Sequence, residues 1–422
     1  MSDSWPVVTD REFAAAITPL GPFEPAPRIA VGVSGGADSM ALAWLAANWV
    51  RERGGSLLAL VVDHGLREES GSEAAVTAAR LGACGIGARV LAIKTLPRGP
   101  GLAARARAAR FAVLEMACVE AGILHLLLGH HAGDQAETLL IRRLGGSGPA
   151  GMAGMAWLVE TGRLRLLRPL LGMPAARLRA TLRAADIAWV EDPSNADVRA
   201  LRPRLRLLRR DLGGVGSATS ALVAAAAAAA RVRAEQERSA AIALAEQAVI
   251  RPEGFALLTG QPLPTAALAA LLRVIAGAGF APATRSLRAL AAAPRPATVG
   301  GARLLPAGRV GSGLLVVREP AAMAGPVPAQ PGAVWDGRFR LGEDVAVPAG
   351  ATFGALGADA ARLRRLSTLP SAVLQTLPAV RVGAALFAVP HLLYSPCHKG
   401  ASLPLLFSPP SPAAVAAFVG DA

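Results

Sequence analysis

The segment with the least freedom in this chain is Ser34-Gly35-Gly36-Ala37-Asp38-Ser39. It follows Ile29–Val33, an apolar β-branched run of the kind that forms a strand buried on both faces. It precedes Met40–Val50, which reads as helix. A strand, a glycine turn and a helix in that order suit a parallel strand of an α/β sheet that delivers its chain to a helix N-terminus. Glycines let the backbone come close to an anion. The helix start presents unpaired N–H groups and the positive end of its dipole, so phosphate binds there. Ser34 and Ser39 can add hydroxyl donors. Asp38 cannot face a phosphate without help, so a Mg2+ between carboxylate and phosphate is the natural reading. No lysine follows the glycines in the GxxxxGK[ST] manner, so this is a different phosphate cradle.

The chain around the loop alternates. Leu57–Val62 is a second buried strand and ends at Asp63-His64-Gly65; residues 73–83 read as helix and Ala88–Ile93 as a third strand. Leu102–Ala121 is helical, Leu124–Leu128 is a fourth strand, and a helix starts near Asp134. Thr9-Asp10-Arg11-Glu12 reads as a capping box for a short first helix. The pattern predicts a doubly wound α/β domain with a parallel sheet over residues 1–212. Composition shifts at Gly213-Gly214-Val215-Gly216. Ser217–Ile250, rich in alanine with Arg, Glu and Gln, favours a long helix, and residues 213–320 are expected to form a mainly helical domain. Residues 320–333 read as a Pro/Ala/Gly linker. The remainder, 321–422, carries strand signals at Val334–Leu341 and Ala385–Pro390 and suggests a small α+β module.

Charge and cysteine content narrow the partners. The formal charge is +14, a balance that suits a polyanion. Arginine is abundant while lysine occurs only as Lys94 and Lys399, which also fits GC-rich codon bias, so the positions of the arginines must decide. Cys84, Cys118 and Cys397 form no CxxC pair and no Cys/His cluster with zinc spacing. The N-terminal residues lack a basic stretch followed by an apolar core. Apolar runs, such as that ending in Ala224–Ala230, fall short of the ~18–20 residues of a membrane-spanning helix. A soluble, cytoplasmic protein without a membrane partner is expected.

The hexapeptide resembles the PP-loop of the ATP pyrophosphatase superfamily, whose members bind the ATP triphosphate there and transfer AMP to a substrate oxygen. Further blocks narrow the resemblance: Val62-Asp63-His64-Gly65-Leu66-Arg67, Arg107-Ala108-Ala109-Arg110-Phe111, and Gly129-His130-His131-Ala132-Gly133-Asp134-Gln135-Ala136-Glu137-Thr138. Gly146-Ser147-Gly148, Arg168-Pro169-Leu170-Leu171, Trp189-Val190-Glu191-Asp192-Pro193-Ser194-Asn195 and Arg202-Pro203-Arg204-Leu205-Arg206 extend it. In order and spacing these are similar to the tRNA(Ile)-lysidine synthetase family, strongly over residues 29–210. Three positions depart from the family pattern. Gly133 stands where a first carboxylate is usual, Gly145 where a basic residue precedes Gly-Ser-Gly, and Pro203 where asparagine is usual.

The resemblance implies a two-step reaction. The C2 oxygen of the wobble cytidine in a CAU-anticodon tRNA(Ile) attacks the ATP α-phosphate. The ε-amine of free lysine then displaces AMP to form lysidine, which changes the codon read from AUG to AUA. ATP and Mg2+ are the implied cofactors, and tRNA(Ile) and L-lysine the implied partners, with a homodimer left open. The nucleotide residues would be Ser34, Gly35, Gly36, Ala37, Asp38, Ser39 and Asp63, with Asp38 also on the metal. Asp134 is the candidate carboxylate for the amine, after a parallel strand where α/β enzymes place their sites. His130, four residues before it, would share its helical face and stabilise the adenylate; His131 is open between function and a local cap. Gln135 and Glu137 would cap and orient neighbours. Arg107 and Arg110 would face substrate, and Arg199, Arg202, Arg204 and Arg206 would contact RNA phosphates. The 213–320 and 321–422 segments are expected to help hold tRNA. Another PP-loop tRNA-modifying enzyme and a non-catalytic tRNA-binding paralogue remain alternatives; sulfur-transferring relatives usually need a cysteine pair, which these three cysteines do not supply.

Overall fold

The computed structural model describes residues 5–65, 70–93, 99, 101–191, 201–395 and 403–414. Helix α1 (Asp10–Ile17) begins with the expected capping box: the Thr9 side chain accepts from the Glu12 N–H, and Glu12 answers to the Thr9 N–H. Strand β1 (Arg28–Val33) is buried from its second residue onward. Its Gly32 leaves room for the Leu128 side chain, which a Cβ there would meet at 3.3 Å. After it come α2 (Ala37–Arg51), β2 (Ser56–Asp63), α3 (Ser70–Ala83) and β3 (Gly87–Ala92). Next are α4 (Leu102–Glu120), β4 (His125–Leu128), α5 (Ala132–Leu144), β5 (Leu158–Glu160), β6 (Arg165–Leu167), α6 (Ala175–Ala184) and α7 (Leu201–Arg209).

The six strands run in the order β3-β2-β1-β4-β6-β5, all parallel except β5. The first three strands proceed outward to one side of β1, and β4 returns to its other side. That reversal opens a crevice above the C-terminal ends of β1 and β4, where ligands bind in open α/β sheets. The apolar faces of α1, α2 and α6 cover one side of the sheet, around Phe13, Leu42, Trp49 and Leu178. Leu114, Ala117 and Cys118 of α4 cover the other with Leu60 and Leu126.

The chain divides into two compact units, Met1–Ala234 and Glu235–Val415, so the three expected segments are packed as two. Helix α8 (Ser217–Gln247) is the expected long helix. Beyond it lie β7 (Ala248–Arg251), β8 (Phe255–Leu258), α9 (Thr265–Ala276), α10 (Thr284–Ala292), β9 (Ala297–Val299), β10 (Ala302–Pro306) and β11 (Leu314–Arg318). This region is helical as expected, and it also builds a five-stranded antiparallel sheet, β7-β8-β11-β10-β9, that sequence reading did not foresee. Its strands are three to five residues long, too short to show a period of their own.

The last third carries β12 (Val327–Pro328), β13 (Val334–Trp335), β14 (Phe339–Leu341), β15 (Ala351–Ala355), β16 (Pro378–Val382), β17 (Ala385–Ala388) and β18 (Leu405–Phe407). These form sheets β12-β15-β16-β17 and β13-β14-β18. Phe255, Leu315 and Val317 share one apolar cluster with Leu356, Leu374 and Val389, so the middle and last segments have a common core. The stretch 320–333, expected as a linker, is pinned instead. The Ala324 N–H donates to Asp336, whose carboxylate also takes both Arg318, at the end of β11, and Arg338. Among the described residues no helix is long and apolar enough to cross a membrane.

Candidate active site

The loop after β1 is built as an anion cradle. Gly35 has φ +84°, and a Cβ there would meet the Thr77 hydroxyl at 2.6 Å. Both the conformation and the space require glycine. Its carbonyl accepts the Val190 N–H at 2.8 Å, which ties the loop to the segment after α6. Gly36 is the N-cap of α2 and makes no side-chain capping bond, so the first-turn amides keep their hydrogen-bonding capacity. A Cβ at Gly36 would find only the Ser34 hydroxyl, at 3.7 Å. That open space above the turn is what a phosphate needs. The Ser39 hydroxyl is occupied within the loop, donating to the Gly36 carbonyl at 2.9 Å and accepting the Ser34 N–H at 3.1 Å. Ser39 shapes the cradle, while Ser34 is exposed at its rim. At Gly129 a Cβ would meet the backbone of Asp38 and Ser39 at 3.1–3.2 Å, so glycine at the end of β4 lets the two chain turns touch.

Two carboxylates face each other across that junction. Asp38 sits in the first turn of α2, and its Oδ1 is buried without a hydrogen-bond partner. Burial raises its pKa above the ordinary value. Asp134 sits in the first turn of α5. Burial pushes its carboxyl upward, but His131, His130, the His131 N–H and Arg206 outweigh it, and the pKa lies below the usual range. His131, left open by sequence reading, is the N-cap of α5. Its Nδ1 accepts the Gly133 N–H at 3.0 Å, and its own N–H donates to Asp134 Oδ2 at 3.1 Å. His130 lies one residue before that cap, so it does not share a helical face with Asp134 as expected; the helix starts too late. Its Nδ1 is buried without a partner, and burial beside Arg168 lowers its pKa to about 3. His130 is therefore a neutral imidazole at physiological pH.

The arginine-rich block is helix α7, and this changes its geometry. An alternating run presents one face only in a strand. In a helix Arg202, Arg206 and Arg209 align, while Arg204 points away and is exposed. Pro203 is tolerated because it falls in the first turn. The aligned arginines converge on Glu137 of α5, whose side chain is fully buried: Arg206 Nε at 2.6 Å, with Arg202 and Arg209 each at 3.4 Å. Arg206 and Arg202 also reach Asp134 Oδ1, at 3.4 and 3.7 Å. Arg199 lies outside the described residues.

Asp38, His130, His131, Asp134 and Arg206 line one cavity of about 1130 Å3. Its floor is the Ser34–Ser39 loop with His130, His131 and Asp134. One wall is α4, through Arg107 and Arg110, with Arg107 also over the Phe111 ring at 5.2 Å. Burial lowers the pKa of both arginines, and of Arg168 to about 10. Asp63 is not among the lining residues. Its carboxylate turns back to accept from the Ser70 hydroxyl and the Gly65 N–H, a local turn that holds it away, and His64 lines the cavity in its place. Sequence reading also missed Arg179 and Arg183 of α6 and the nearby Trp189 as lining residues. They lie about 140 to 155 residues after the loop, with no local signal to join them to it. Arg142, three residues before the Gly145 departure, donates to the Gly151 and Gly154 carbonyls and shapes the following loop.

Fold and loop together define a PP-loop ATP-binding domain, and the PP-loop domain family matches residues 7–210. A relative from a Methylobacterium strain, named tRNA(Ile)-lysidine synthase, is 39% identical over 293 residues, covering 68% of this chain and 83% of its own. This chain belongs to the tRNA(Ile)-lysidine synthase family. Two further relatives of that name are 44% identical, one from a Bradyrhizobium strain over 200 residues and one from Rhodopseudomonas palustris over 203. Those matches cover 47% and 48% of this chain and only 56% and 59% of the relatives' own length.

Proposed function

We propose that this protein joins lysine to C2 of the wobble cytidine in a CAU-anticodon tRNA(Ile), using ATP and passing through an adenylated tRNA. One observation supports the reading above the rest: the phosphate cradle, the Asp134 carboxylate and the Arg107–Arg110 wall line the same cavity. At about 1130 Å3 it exceeds the ~300–1,000 Å3 of a typical small-molecule pocket, which suits two reactants at once.

In the first step the cytidine C2 oxygen attacks the ATP α-phosphorus and pyrophosphate leaves. The first-turn amides of α2 neutralise charge on the triphosphate. Among the described residues no cluster of three or more His, Cys, Asp or Glu could cage a metal. The unpartnered Asp38 Oδ1 fits a Mg2+ shared with phosphate oxygens, which would supply further charge neutralisation. In the second step the lysine ε-amine attacks C2 and AMP leaves. A free lysine amine has a pKa near ~10.4 and arrives as ammonium. Asp134, held ionised, pairs with it in competition with Arg206 and orients it by electrostatic attraction; the proton passes to water, and the neutral amine attacks C2. Neutral His130 can hydrogen-bond the reacting nucleotide without adding charge. Exposed Arg204 contacts RNA phosphate. In the second unit Phe280, 91% exposed, and the exposed Arg285 and Arg288 of α10 offer a stacking ring and cations of the kind RNA binds.

The test is incorporation of radiolabelled lysine, with Mg·ATP, into a CAU-anticodon tRNA(Ile) transcript, against the same transcript with uridine at the wobble position. Label in the cytidine transcript alone, abolished by Asp134→Asn with pyrophosphate release retained, is the expected result. Pyrophosphate release without lysine incorporation would point to another nucleophile, and tRNA binding without either would point to a non-catalytic paralogue.

A further inference from the structure

We propose that His131 is a positioning residue that ties the nucleotide-side carboxylate of Asp38 to the amine-side carboxylate of Asp134, and that position 133 is glycine so that the imidazole can lie between them. What the two carboxylates hold rests on the reading above; the geometry does not.

A backbone N–H is always a donor, so His131 Nδ1, which accepts from Gly133, carries no proton. The ring proton is therefore on Nε2. That atom stands 3.5 Å from Asp38 Oδ2 and 3.6 Å from Asp134 Oδ2. The two distances are nearly equal and each is beyond ordinary hydrogen-bond length, so the ring faces both carboxylates and is bonded to neither. Unliganded catalytic contacts are commonly this loose and tighten when substrate binds. The carboxylates come from separate strand–helix turns, one after β1 and one after β4, and His131 spans them.

Capping alone does not call for histidine. Asn, Asp, Ser and Thr are the preferred N-caps. Nor is Gly133 required by its backbone, which is helical and lies within the first turn of α5. What requires glycine is the ring. A Cβ at 133 would stand 2.8 Å from His131 Cε1 and 3.1 Å from Nδ1, and the imidazole is only 9% exposed, so it has little room to retreat. Glycine at 133 and the position of the ring form a matched pair.

The experiment is a double-mutant cycle read by Mg·ATP binding, lysine KM and thermal midpoint. His131→Asn keeps an acceptor for the Gly133 N–H but has too short an amide to reach both carboxylates. We expect its midpoint to stay within about 2 °C of wild type. We expect Mg·ATP affinity to fall, and lysine KM to rise, by about tenfold, the loss of one hydrogen bond to a charged group. Gly133→Ala should match that loss when His131 is present and add nothing in the His131→Asn background. Wild-type binding by His131→Asn, or an equal loss from Gly133→Ala in both backgrounds, would overturn the proposal. If the wild-type protein incorporates no lysine, the ligase reading falls. The bridge then stands or falls on the same non-additive pattern in Mg·ATP binding.

Discussion

Arg206 Nε and Glu137 Oε1 lie 2.6 Å apart, joining α7 to α5 across 69 residues of sequence. The Glu137 side chain has no solvent contact, and Arg202 and Arg209 complete its coordination. Removing one partner of such a group leaves buried charge unpaired, which typically destabilises by ~3–5 kcal/mol. We expect Glu137→Ala to lower unfolding stability by that order in urea titrations and to free α7 from the rim of the cavity. Arg204→Ala should leave the unfolding curve unchanged.

The same contrast should divide the arginines in RNA binding. Arg204 is exposed, and its removal should weaken tRNA binding and reduce the salt dependence by about one counterion. Arg206→Ala should instead lower stability and lysine transfer together, because Arg206 holds Glu137 and Asp134. Filter binding at several salt concentrations, alongside thermal melts, separates the two.

Gly35 tests the cradle. Gly35→Ala meets both a left-handed backbone and a contact of 2.6 Å with the Thr77 hydroxyl. Backbone strain of this kind destabilises by ~1–3 kcal/mol. We expect a loss of ATP affinity larger than the loss of stability, since the loop geometry carries the phosphate amides. Adding Thr77→Ala should recover part of the stability by removing the contact, and little of the affinity, because the strain in φ remains.

The pH dependence follows from His130. Its pKa of about 3 in the folded protein is below the ~6.5 of an unfolded chain. Between these values the unfolded state binds more protons, so stability rises with pH there and falls on acidification. His64, His125 and His391 are also lowered, chiefly by burial, and act with the same sign. Asp38, raised by burial, acts with the opposite sign at the acid end. We expect the thermal midpoint to decline from about pH 6.5 downward. His130→Asn should flatten that decline; an unchanged slope would show that His130 is protonated in the fold.

Much of the first unit could be read from local residues. Thr9 and Glu12 announce their capping box within four residues, and the elements of the loop stand in sequence order as β1, turn and α2. Asp38 and Asp134 could be found because each follows a strand end. Asp63 could not be judged that way. Whether a carboxylate at a strand end turns outward or back on its own turn depends on Ser70, seven residues on. The β7–β11 sheet was also illegible, because short strands in an alanine-rich context carry no period.

The sequence by itself determined the strand–loop–helix unit, the glycines that a phosphate cradle requires and the family to which the chain belongs. These are properties of neighbouring residues, where spacing along the chain fixes spacing in space. Only the tertiary structure decided which side chains meet: Glu137 with three arginines of α7, His131 between Asp38 and Asp134, and α6 as a wall of the cavity. Those contacts join elements far apart in the chain. Their partners are selected by burial and charge once the sheet has brought the helix ends together.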